Sequence, residues 1–221
     1  MCDIGFCQVN IINIQLEPHT QSVTIVSNME KTLVLLKPDA VARGIVGEII
    51  TRFEKSGLKL IATKMIEPSE DLANQHYPAG RREFIEGMGH KTLGSYKEQG
   101  LDPHKVFGTD EPHAIGLQVQ HWLVDSLTAG PVIALVLEGP HAVELVRKIA
   151  GNTLPIKAEP GTIRGDYSFD SPALANSEKR AIRNLVHASG DKKEADFEVN
   201  LWFTDEELHS YDAAHQNHMT A

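Results

Sequence analysis

Cysteine is nearly missing from this 221-residue chain, and the only two, Cys2 and Cys7, stand at its beginning. That excludes a disulfide framework or a cysteine zinc cluster in the body of the chain, and a reducing, cytoplasmic location is the expectation. Long apolar runs are missing as well. No stretch approaches the roughly 18 apolar residues of a membrane-spanning helix, so no membrane partner is expected. The opening residues carry Asp3 and Glu17 and no basic stretch, and do not read as a secretory signal. Positive charge is in deficit: 21 Lys and Arg stand against 30 Asp and Glu, a formal net charge of −9. Nucleic-acid backbones are held mainly by Lys and Arg. The balance therefore argues against a nucleic-acid partner, while leaving room for a local basic pocket. The standard nucleotide loops are absent too. Gly87-Met88-Gly89-His90-Lys91-Thr92 comes nearest to a phosphate-binding loop, but no Gly directly precedes the Lys and no buried strand leads into it. There is no G-x-G-x-x-G, no protein-kinase catalytic loop, and no zinc spacing of His and Cys.

What is present is an ordinary globular composition, 41% hydrophobic and 23% charged, at a length that suits one domain with an insertion. Residues 1–28 differ in character from the rest of the chain. They read as an extension or a misassigned start ahead of Met29, the alternative being an N-terminal β-hairpin. Residues 32–36 form a buried-strand run stopped by Lys37-Pro38-Asp39. Helical spacing over 45–56 ends at Gly57. Residues 58–66 alternate as a half-buried strand, and a helix with acidic first-turn residues comes after Pro68. The stretch after Gly87 is polar and Gly-rich and reads as a loop. Helical character returns over 114–127. Residues 132–137 are the most apolar strand, 140–150 a helix with Pro at its start, and 152–181 a long irregular stretch. A short strand over 183–187 and a helix over 191–203 precede a polar, loose tail, 212–221. Without the extra helices the order is βαββαβ. That is the order of an α+β, ferredoxin-like fold, an antiparallel sheet covered by helices on one face.

The residues with the most chemistry surround His187. A strand ends in this histidine, and Ala188, Ser189 and Gly190 come next, small residues that let a ligand come close. Strand alternation puts Leu185 and His187 on one side and Val186 on the other. Arg164, between glycines in the long loop, suits a phosphate held by charge-assisted hydrogen bonds. Arg147 lies in the last turn of its helix with Thr153 just beyond, and Lys37 ends the first strand beside a possible ligand site. Most of the 11 histidines, among them His113, His121 and His209, lie in polar or loop surroundings and read as solvated.

Six segments then align with one family, in its order. They are Lys37-Pro38-Asp39-Ala40-Val41; Arg43-Gly44 with Gly47-Glu48-Ile49; Gly130-Pro131-Val132; Leu137-Glu138-Gly139; Pro160-Gly161-Thr162-Ile163-Arg164-Gly165-Asp166; and Asn184 with His187-Ala188-Ser189. The chain resembles nucleoside diphosphate kinase from about Lys31 to Leu208. The resemblance implies a ping-pong enzyme that passes the γ-phosphate of ATP or another nucleoside triphosphate to a nucleoside diphosphate. Nδ1 of His187 would be the nucleophile and Glu198 the carboxylate orienting its ring. Lys37 would meet the γ-phosphate and the ribose, Tyr77 would sit beside the histidine, and Arg147, Thr153 and Arg164 would hold phosphates. Asn184 would bond the ribose 3′-hydroxyl, Ser189 would support the site beside Glu198, and Phe84 would stack on the base. The implied cofactor is Mg2+, held by phosphates and water rather than by protein ligands. Stacking alone implies low base selectivity. A homo-oligomer, hexamer or tetramer of dimers, is implied as well.

One departure stands out. The stretch between Phe84 and Gly130 is longer than in the family's common form, with extra residues near 88–123. A minority subgroup resembles it in this. The insertion can cap the base, pack on a neighbouring subunit, or be a solvated elaboration.

Overall fold

A computed structural model of the chain describes residues 29–214, so the readings made on 1–28 and on the end of the tail lie outside the described residues. In chain order the elements are β1 (Met29–Leu36), α1 (Pro38–Ala42), α2 (Val46–Lys55), β2 (Lys59–Ile66), α3 (Glu70–His76), α4 (Arg82–Gln99), α5 (His104–Phe107), α6 (Pro112–Thr128), β3 (Val132–Pro140), α7 (Ala142–Ala150), α8 (Ile163–Tyr167), α9 (Pro172–Ser177), β4 (Val186–Ala188) and α10 (Lys192–Trp202). The strands form one antiparallel sheet in the order β2-β3-β1-β4, with Leu35 opposite Ala134 on one side and His187 on the other. This is the expected βαββαβ sheet.

The sheet is covered on both faces rather than one. Val34, Leu36, Leu135 and Leu137 pack on α2 and α7 through Phe53, Ile49 and Val146. Leu33, Leu35, Ala134 and Val136 pack on α3, α6 and α10 through Ala73, Leu127 and Trp202. The unbroken apolar run of β1 has this cause: a strand buried on both faces has no polar side to show. The short β4 also departs from its expected alternation. Leu185 has a left-handed φ of 69°, so the strand starts only at Val186. Leu185 and Val186 both enter the same core cluster.

The polar, Gly-rich stretch is helix, not loop: α4 runs 18 residues before the left-handed Gly100 ends it. Two of the residues that mark it as a breaker serve packing instead. A Cβ at Gly89 would fall 1.8 Å from the Pro112 carbonyl oxygen, and one at Gly116 would fall 2.0 Å from that of Ile85. Bare glycines let α4 and α6 meet backbone to backbone, which a sequence pattern cannot foresee. Tyr96, Phe107 and Ile115 form a small core of their own inside this added region. At the far end of β3, Pro140 is the last strand residue, and α7 starts only after His141, which takes a φ of 53°. The irregular 152–181 stretch contains α8, α9 and a 3-10 turn over Pro155–Lys157. Beyond α10 the chain runs along β2. The His209 amide donates to Ile61, and the Tyr211 hydroxyl donates to Leu60, so the chain is anchored up to the start of the tail.

The close helix contact gives a stability test. Gly116→Ala should destabilise by about 1–3 kcal/mol, as overpacking does. Gly94→Ala, with nothing within 4 Å of the added carbon, should be neutral or stabilising by up to ~1 kcal/mol. Urea unfolding of the two variants reads the difference.

Candidate active site

His187 sits at the middle of β4, where its ring passes to the α3/α10 side of the sheet. Its Nε2 lies 2.8 Å from one Glu198 carboxylate oxygen and 2.9 Å from the other. Glu198 projects from α10 and is 2% exposed. α10 is capped by Asp191, whose side chain accepts from the Glu194 amide. A carboxylate so buried needs partners. Besides His187, Ser189 donates its hydroxyl to Glu198 at 2.6 Å, and Ser189 Oγ accepts from the Leu33 amide. With an acceptor at Nε2, the neutral ring carries its proton there. Nδ1 keeps its lone pair and has no hydrogen-bond partner among the described residues.

Polar side chains hold the segment before His187. Arg164, 7% exposed on α8, donates to the carbonyls of Asn184 (3.1 Å), Val186 (2.6 Å) and Gly151 (2.7 Å). The expected loop arginine is thus a buried clamp with part of its fork committed to backbone. The Leu185 amide donates to Asp39 at 3.0 Å, and its carbonyl accepts from the Lys37 amide at 2.9 Å. These bonds offset a left-handed leucine, a strain of about 1–3 kcal/mol. Pro38 opens α1 directly after Lys37, which fixes the corner. The Lys37 ammonium donates to the Ile182 carbonyl at 3.3 Å.

Cations ring the histidine. Burial and then the Arg164, Lys37 and Arg147 charges hold the His187 imidazole below its ordinary range, with Glu194 opposing. Burial pushes Glu198 up. Burial also lowers the Lys37 ammonium and pushes Arg164 down to about 10, with Arg147 adding to it, so Arg164 stays charged at neutral pH. Arg147 is exposed at the end of α7. Tyr77 is buried, with its ring 6.3 Å from that of His187, and burial raises its hydroxyl. Thr153 and Asn184 line a cavity of about 450 Å³, and the Asn184 amide donates to the Thr153 carbonyl at 2.9 Å. Phe84 is not on that cavity's wall. Its ring packs on the sheet core beneath the Arg81 guanidinium, 5.7 Å away. Met88, one turn on, lines the cavity.

His76 carries no signal in the sequence. Its ring lies 4.4 Å from that of His187, its Nδ1 accepts from the Trp202 indole, and one Glu198 oxygen stands 3.5 Å away. Only the fold brings the end of α3 under α10. His76, His187 and Glu198 are the one trio of potential metal ligands among the described residues. Two imidazoles, with a carboxylate already bonded to one of them, do not make the octahedral oxygen shell that Mg2+ takes.

The family model described as nucleoside diphosphate kinase matches residues 30–89 and 115–208. The chain belongs to the nucleoside diphosphate kinase family. Its relatives include a nucleoside diphosphate kinase of Pyrobaculum aerophilum, 51% identical over 180 residues, covering 81% of this chain and 98% of that one. One from Pyrococcus furiosus is 40% identical over 185 residues, covering 84% and 89%. The crystal structure of an NDP kinase from Pyrobaculum aerophilum superposes with a TM-score of 0.79 at 49% identity, covering 82% of this chain and all of the other. A transition-state mimic of the Borrelia burgdorferi nucleoside diphosphate kinase, with bound vanadate and ADP, gives 0.68 at 34% identity, covering 86% and 96%. The family model leaves 90–114 unmatched, the segment from mid-α4 to the start of α6.

The clamp and the histidine can each be tested in solution. Arg164→Lys keeps the charge but loses the planar fork, so buried carbonyls go unpaired. Urea unfolding should show a loss on the order of 2–4 kcal/mol, and an unchanged midpoint would count against the clamp. For His187, a lowered pKa means the ring is already neutral throughout the neutral range and gains its proton only in more acidic solution. An NMR titration of the free protein should place the His187 midpoint below the ordinary ~6.5, while a midpoint at or above that value would contradict the site electrostatics.

Proposed function

We infer that this chain passes the γ-phosphate of ATP or another nucleoside triphosphate to a nucleoside diphosphate through phosphorylated His187, and so keeps nucleotide pools balanced. One observation carries the reading. His187 Nε2 is taken up by Glu198 while Nδ1 is free, and the cations Lys37, Arg147 and Arg164 stand near enough to depress the ring's pKa. The Borrelia relative, captured with vanadate and ADP, supports it.

The chemistry then runs in two mirrored steps. The Nδ1 lone pair forms a bond to the γ-phosphorus as the bond from that phosphorus to the β,γ-bridging oxygen breaks, and the nucleoside diphosphate leaves with that electron pair. The Nε2 proton stays in place, and the Glu198 carboxylate stabilises the positive ring that results. A terminal oxygen of the incoming diphosphate reverses the step. The transition state spreads charge over the equatorial oxygens, so positioning and cations supply most of the rate. Lys37, Arg147 and the remaining Arg164 donors take that part, with Thr153 and Asn184 placing phosphate and ribose. Tyr77 walls the histidine. Mg2+ belongs to the nucleotide substrate, where it neutralises phosphate charge.

A homo-oligomer fits the surface. Phe169 and Ile156 are 83% and 62% exposed, large apolar side chains of the kind a second copy of the chain would cover. A cytoplasmic placement rests on the scarcity of cysteine. No helix among the described residues is long and apolar enough to cross a membrane.

Brief incubation with Mg2+ and γ-labelled ATP should leave an acid-labile, base-stable label on the wild-type chain. The label should be discharged by GDP and absent from His187→Ala. A folded wild-type protein that takes no label would be a binding protein on a kinase fold.

A further inference from the structure

The cavity beside Thr153 and Asn184 extends beyond the residues that the transfer reaction uses. Its lining includes a wall contributed by the second half of α4 and by α9. Lys91 and Tyr96 on that wall come from the segment the family model leaves unmatched. Two polar atoms of wall residues are buried and have no hydrogen-bond partner: Tyr96 Oη and Asn176 Nδ2. Tyr96 is 2% exposed, and burial pushes its phenol up to about 12, so it keeps its proton and can donate. The Lys91 ammonium, on the same wall, makes no hydrogen bond or ion pair among the described residues. Three groups that can donate thus belong to residues that line one space together with Thr153 and Asn184.

The wall is not a loose appendage. The Tyr96 ring packs 5.5 Å from Phe107, which packs 5.6 Å from Trp122. An ion pair between Glu98 and Lys157 ties the end of α4 to the turn after Thr153. The backbone contact at Gly89 and Gly116 fixes α4 against α6. A rigid set of unmet donors selects a ligand edge that carries acceptors, because an analogue presenting a donor there leaves polar groups unpaired.

We propose that the inserted segment, together with α9, reads the nucleobase, with Lys91 and Tyr96 of the insertion and Asn176 of α9 holding the O6/N7 edge of guanine, so that the chain prefers guanine to adenine nucleotides. Guanine offers two adjacent acceptors on that edge, whereas adenine puts an amino donor beside N7. This rests on the reading that Thr153 and Asn184 hold the phosphate and ribose end. It departs from the low selectivity that stacking alone would give.

Calorimetric titration of the full chain with GDP and with ADP, each with Mg2+, tests it without needing turnover. The wild-type chain should bind GDP about tenfold more tightly, the scale of one good base-edge contact. Lys91→Ala combined with Tyr96→Phe should bring the two affinities together. Phe removes only a hydroxyl that lacks a partner, and matching circular dichroism melts would show that the fold is kept. Lys91→Glu, which replaces a donor by an acceptor, should move the preference toward ADP. Equal wild-type affinities would overturn the base-reading role and leave the kinase reading intact. A GDP preference that survives in the double variant would overturn the assignment to the inserted wall. Failure of both nucleotides to bind would overturn this inference and the nucleotide reading of the cavity together, and the phosphohistidine label would then separate the cavity from the histidine.

Discussion

The buried carboxylate of Glu198 is the constraint on which the site depends. A group 2% exposed cannot keep its charge without partners, and the partners it finds come from separate parts of the chain. His187 reaches it from β4 and Ser189 from just beyond, while the neutral His76 ring at the end of α3 packs beside them without donating to it. Ser189 in turn bonds the backbone of Leu33 in β1. Satisfying one side chain therefore docks α10 on the sheet and fixes the angle and tautomer of the imidazole together. Stability and chemistry share the interaction.

A second constraint runs through Arg164. The left-handed Leu185 breaks the strand pattern just before His187, which turns the backbone so that both Leu185 and Val186 enter the core while the imidazole goes to the other side. Such a conformation persists when its surroundings over-determine it. Here a guanidinium clamps the carbonyls on both sides of Leu185, and Lys37 and Asp39 take up the peptide groups between. The charge that organises the loop also belongs to the cationic ring around His187, so one residue type at one position serves two physical ends. The pattern of buried cations beside a neutral histidine is self-consistent: burial lowers the imidazole pKa, and the neighbouring positive charges lower it further.

The added region shows how far a local pattern can mislead. Gly87, Gly89 and Gly94 weaken any helix prediction because glycine disfavours helices. Gly89 is nevertheless needed inside α4, since α6 approaches so closely that no side chain fits. That contact joins residues far apart in sequence and leaves no periodic trace. The small core of Tyr96, Phe107 and Ile115 gives the added region packing of its own, and its position places new polar groups against the cavity.

The sequence by itself determined the strand and helix order, through the apolar run of β1, the helical spacing of α2 and the glycine that ends it. It also carried the family's local pattern, because Asn184, His187 and Ser189 lie close together in the chain and the Arg164 segment is continuous. Tertiary structure alone decided what those groups face. It put His76 beneath the imidazole and set Glu198 against Nε2 rather than Nδ1. It took Arg164 from an open loop to a backbone clamp, and packed Phe84 on the sheet core. The physical reason is the range of the interactions. Propensity, alternation and turns act within a few residues and can be read along the chain. Burial, pairing of a hidden charge and backbone-to-backbone helix contact depend on segments that only folding brings together.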